Sequence, residues 1–158
     1  MENLKKLKKD YEHIQQKYKL PGFEILNQRF DIEKLAERET EMLIREVRRA
    51  IIEKASNYFK FIEILINPGA APMFFVAAIK RMNGIDRQPL EQLYIELGKM
   101  EVDSIELENL YDEKKEAEFI KKANENWNSI TKRFAELTSK MKKSFEGKDE
   151  KKEKSYFG

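Results

Sequence analysis

The chain has 158 residues, enough for one domain with a real core, and its 31 Lys/Arg against 29 Asp/Glu leave a formal net charge of +2. That near-balance gives no global field pointing to nucleic acid, and the absence of cysteine excludes disulfides, thiolate metal sites and a cysteine nucleophile. Charged residues are 38% of the chain and apolar ones 41%, a mixture that suits amphipathic helices with solvated outer faces rather than a sheet buried on both sides.

The charges are unevenly placed. Residues 1–19 carry six lysines against Glu2, Asp10 and Glu12, and residues 132–158 carry nine Lys/Arg against five acids, so the middle is acidic. Leu4 and Leu7 are interrupted by lysine at every turn, so no secretory signal peptide is expected. A cysteine-free chain fits a reducing cytoplasm, and abundant Lys and Glu without Cys resemble the composition of hyperthermophile proteins.

A first helix is expected from about Asn3 to Lys19, with the apolar seam Leu4, Leu7, Tyr11, Ile14, Tyr18, stopped by Pro21-Gly22. Phe23 to Phe30 is too apolar for a free linker and should pack on the bundle. Asp31 suits an N-cap, Glu33 the first turn, and Phe30 with Leu35 a hydrophobic staple. No Pro or Gly follows until Pro68, so a single spine helix of about 35 residues is expected, with the seam Ile44, Val47, Ile51, Ala55, Tyr58, Ile62, Leu65. Asn67-Pro68-Gly69-Ala70-Ala71-Pro72 is a turn. Pro72 then opens a short apolar helix through Ile79, and Lys80 to Gly84 end it.

A turn at Asp86 to Pro89 leads into a helix with Leu90, Leu93, Tyr94, Leu97 and Met100. It is expected to run on through the ambiguous stretch 101–111 to Asn109. The last helix begins near Asp112 and carries the longest 3/4 repeat, Ile120, Ala123, Trp127, Ile130, Phe134, Leu137, Met141. It is expected to end at Gly147, leaving 148–158 as a charged, flexible tail. The fold class is therefore all-α: a single-domain bundle of four to five helices at 1–147, with long, coiled-coil-like antiparallel helices. Whether the two terminal seams pair within one chain or between two is open, so monomer and homodimer both stand.

Chemical motifs are sparse. A carboxylate-bridged dimetal bundle site needs two Glu-x-x-His motifs, but the only histidine, His13, has Asp10 three residues before it and no second motif exists. Glu39, Glu46 and Glu53 recur at heptad spacing beside Arg38, Arg45 and Arg49, which reads as salt-bridged surface. Single scattered glycines form no phosphate loop, and no nucleophile elbow is present. No metal, cofactor or catalytic residue is expected, and the chain is read as no enzyme. Residues 72–79 are too short an apolar run to span a membrane. A short core helix is the plainer reading, and exposed Phe74 and Phe75 the sharper one.

Two function classes remain. The first is a cytoplasmic adaptor or assembly factor that binds another protein, with Phe74, Phe75, Trp127, Tyr156 and Phe157 as candidate docking residues. The alternative is a nucleic-acid- or ribosome-associated factor contacting phosphates through Lys5, Lys6, Lys8, Lys9, Lys140, Lys142 and Lys143. The plain reading of those lysines is a solvated helix surface.

Overall fold

A computed structural model of the chain describes residues 1–81 and 87–156, with side chains described through residue 146. The described residues are all-α: helices α1 (Glu2–Tyr18), α2 (Phe23–Phe30), α3 (Leu43–Ile66), α4 (Met73–Arg81), α5 (Arg87–Asn109) and α6 (Glu113–Tyr156). Two short 3-10 turns lie at Ile32–Glu37 and Pro68–Ala70. None of these helices is long and apolar enough to cross a membrane. Two compact units make up the chain: Met1–Asn57 with Leu97–Asn128, and Tyr58–Glu96 with Ser129–Gly158. Helices α3, α5 and α6 contribute residues to both.

In the first unit, α1 ends at Lys19 in the left-handed region, where Leu20 is buried and Pro21 offers its carbonyl to the Tyr11 hydroxyl at 2.5 Å. Phe23–Phe30, expected only to pack, is a helix of its own. It buries Phe23, Leu26 and Phe30, and the Tyr11 and Phe23 rings meet edge to face at 5.6 Å. The expected single spine from Asp31 is interrupted. Asp31 adopts φ 54°, ψ 44° as the C-terminal cap of α2, and Glu33 N–H donates to Asn27 Oδ1 where a capping Asp31 side chain was expected.

Aspartate tolerates that left-handed conformation because its short polar side chain bonds locally. The 3-10 turn buries Ile32 and Leu35, and α3 begins only at Leu43. Residues 37–42 are all exposed, so continued helix there would bury no apolar face, and packing supplies most helical stability. Thr40 Oγ1 accepts the Met42 N–H just before α3.

The seam of α3 is buried as its spacing predicts at Ile44, Val47, Ile51, Ala55, Ile62 and Leu65, with Tyr58 half-buried. Helix α5 does continue to Asn109. Of the turn expected at 86–89, Asp86 lies outside the described residues, as do 82–84, and 87–89 are helical as the start of α5, a position Pro89 tolerates because the first-turn N–H groups have no helical partner. Helix α6 continues through Gly147 to Tyr156, past the end expected from sequence. One glycine inside a helix costs only about 1 kcal/mol, and the Lys/Glu run after it consists of good helix formers.

Both terminal seams find cover in one chain. Leu7, Tyr11, Ile120, Ala123 and Trp127 are buried in the first unit, and Ile130 and Met141 in the second. At the end of α1, Lys17 and the Tyr18 hydroxyl both donate to Glu113 at the start of α6.

Candidate docking surface

The first unit holds its strongest electrostatic feature inside. Arg48, 0% exposed, projects from α3 between Val47 and Ala50 and meets Glu116 of α6, also 0% exposed. Its Nε donates to Glu116 Oε2 at 2.7 Å, Nη1 to Ser104 Oγ at 2.6 Å and Nη2 to Glu108 Oε1 at 2.7 Å. Arg45 donates to Glu116 and to the Leu107 carbonyl, and Arg49 binds both oxygens of Glu108. Arg49 first, then Arg48, pull the Glu108 carboxyl down to about 2, and Glu108 and Glu46 raise the Arg49 pKa.

All three Arg48 nitrogens are spent on side chains of α5 and α6, and among the described residues no buried side-chain nitrogen or oxygen lacks a partner. Arg48 thereby joins α3, α5 and α6. Among the described residues no three His, Asp or Glu side chains gather as metal ligands would.

The second unit carries a run of half-buried aromatic rings that includes exposed Phe74. Tyr58 stacks on Phe134 at 4.2 Å, Phe134 meets Phe61 at 5.2 Å, Phe61 meets Phe75 at 5.9 Å, and Phe75 meets Phe74 at 5.5 Å. Phe74 stacks on Phe145 of α6 at 5.4 Å and 13°, and the Arg81 guanidinium lies 5.3 Å from the Phe145 ring centre. Helix α4 positions the outer end of this run. The Pro72 carbonyl accepts the N–H groups of Phe75 and Val76, both half-buried, Ala78 is buried, and Met73 and Phe74 are left facing water. Met73 is 87% exposed and Phe74 63% exposed. Beside them Ala77 and Lys80 are exposed, at four and seven residues from Met73 on the same helix face.

The sequence-derived docking residues therefore part company. Phe74 is exposed, while Phe75 is half-buried behind it. Trp127 leaves the surface set: it is 3% exposed, packed against Phe30 at 4.8 Å. The asparagines around it look outward instead, where Arg29 donates to Asn124 and Asn128. The Tyr156 backbone ends α6, its side chain lies outside the described ones, and Phe157 lies outside the described residues.

The candidate lysines fall in different units, Lys5, Lys6, Lys8 and Lys9 in the first and Lys140, Lys142 and Lys143 in the second. All seven are exposed. Lys8 is bonded to Glu24 at 2.6 Å and lies over the Phe23 ring. His13 is exposed, its Nδ1 donating to the Lys9 carbonyl at 2.8 Å.

Met73, Arg81 and Phe145 complete the patch but were not singled out from sequence. The signal available was the spacing of Met73, Ala77 and Lys80 on one helix face. Comparison with known proteins finds no matching family model, no matching curated protein and no matching solved structure.

Proposed function

We propose that this protein is a non-catalytic helical interaction protein, an adaptor or assembly factor, that binds another protein through the α4 patch around Met73 and Phe74. The observation that carries this reading is the placement of Met73, which after Met1 is the most exposed large apolar side chain among the described residues, beside exposed Phe74 on one helical turn, backed by the ring run that ends at Phe145. Scattered single exposed apolar residues are ordinary, whereas an aromatic–methionine patch is the composition enriched at interface centres. Val102 and Ile105 on α5 are also exposed but offer aliphatic contact alone.

Absent cysteine supports a cytoplasmic setting, and the use of all three Arg48 nitrogens to join helices supports a scaffold role over catalysis. The test is affinity capture with the wild-type chain and a Phe74→Asp variant, followed by reconstitution from purified components. The reading expects one protein that forms a stoichiometric complex with wild type and is lost with Phe74→Asp. Capture of RNA alone, lost on replacing Lys140, Lys142 and Lys143, would favour the nucleic-acid reading and overturn this one.

A further inference from the structure

We propose that the α4 patch receives an acidic amphipathic helix: a segment with apolar anchors at i, i+3, i+4 and i+7 flanked by Asp and Glu. The inference rests on the protein-binding reading and names the chemistry of the partner. Three features carry it. The apolar centre is Met73, Phe74 and the adjoining Phe145, and unbranched methionine beside aromatic rings adapts to helical ligands of varied shape.

The surround is cationic. Helix α4 has Lys80 and Arg81 and no acid, and residues 138–146 of α6 have Lys140, Lys142 and Lys143 against Glu146 alone. Arg81 lies against Phe145 itself, and Lys142 is one helical turn from it. The imbalance extends to the whole unit: its sequence ranges hold 13 Lys/Arg against 9 Asp/Glu, whereas those of the first unit hold 18 against 20. An apolar centre with a cationic rim is complementary to apolar anchors with acidic flanks, and rim charge sets specificity and encounter rate.

Other occupants fit less well. Bases need open ring faces to stack on, yet Phe145 is covered by Arg81 and Phe74, and Phe74 is also met by Phe75. A bilayer surface is held by a long apolar helix face, whereas two side chains project here.

The experiment is a displayed library of 18-residue helical peptides with fixed apolar anchors and all remaining positions randomised among Asp, Glu, Lys, Arg, Gln and Ser, selected on the full-length protein and counter-selected on Phe74→Asp. The enriched set is expected to be net acidic. Its best member should bind Phe74→Ala at least about tenfold more weakly than wild type, as truncating an anchor side chain does. Arg81→Glu with Lys142→Glu should reverse the preference toward basic peptides. Circular dichroism confirms that these surface variants keep wild-type helicity.

A neutral or basic enriched set, or none beyond the Phe74→Asp control, overturns the proposal. So does Phe74-dependent co-sedimentation with phosphatidylserine vesicles without peptide enrichment, or a Phe74-dependent dimer by light scattering. A reconstituted protein partner with a non-acidic contact segment would leave the protein-binding reading standing and remove this inference alone.

Discussion

Replacing Glu116 by alanine strands the Arg48 guanidinium in a fully enclosed position with Ser104 and the part-exposed Glu108 as its remaining partners. Removing one member of a buried ion pair costs about 3–5 kcal/mol, and Glu108, which still faces Arg48, puts this loss at the lower end, about 3 kcal/mol. A typical domain has a total stability of about 5–15 kcal/mol, so the loss is a large fraction of it. At about 2 kcal/mol per molar urea the unfolding midpoint falls by roughly 1.5 M.

The companion variant Arg48→Met with Glu116→Leu removes both charges and refills the volume, and is expected within about 1 kcal/mol of wild type. The exposed Arg133–Glu96 pair is the control, and Arg133→Ala is expected to cost about 1 kcal/mol or less. Trp127, the only tryptophan, is buried in the first unit and reports that unit's unfolding by fluorescence, while far-UV circular dichroism reports the whole chain. A Glu116→Ala loss below about 1 kcal/mol, or a double variant that loses the sum of the two single changes, would refute the assignment of this network as the joint of the unit.

Acid should weaken the same region. Glu108 titrates at about 2 when folded, and Glu53 and Glu113 are also held below the ordinary carboxylate range, by Lys34 and by Tyr18 with Lys17 respectively. A depressed folded pKa contributes stability that is full above the unfolded value near 4.5 and is lost as pH falls toward 2. Urea midpoints followed by Trp127 fluorescence should fall between about pH 5 and 2, less steeply in Glu108→Gln; a flat profile would contradict this. The enclosed seams predict one chain per particle by light scattering. Ile120→Asp should lower the urea midpoint without changing the wild-type molar mass, and a wild-type dimer that this change dissociates would show the seams to be intermolecular.

Periodicity read the α3 seam and the passage of α5 through 101–109 correctly, because burial on one face imposes a 3/4 spacing that apolar residues report directly. The same spacing carried an overlooked signal. Arg48 stands four residues after Ile44 and three before Ile51, and Glu116 stands four before Ile120, so opposite charges occupy seam positions on two helices. Ser104, three residues before buried Leu107, marks the third.

The break at 37–42 was hidden because the stretch lacks Pro and Gly. What stops the helix there is the want of any apolar face, together with a left-handed Asp31. For the docking patch, sequence pointed to Phe74 but could not say which way the ring faces. Exposure of Met73 and enclosure of Trp127 depend on which helices cover them, and that is a tertiary fact.

On the proposed reading, the α4 patch binds a protein. The most direct measurement is the affinity of the reconstituted partner for wild type and for Phe74→Asp, by isothermal titration calorimetry, with both chains verified as folded. Expected are saturable one-to-one binding with a negative heat-capacity change, the mark of apolar burial, and at least about a tenfold loss in the variant, as for an interface anchor. Equal affinities for the two chains would contradict it.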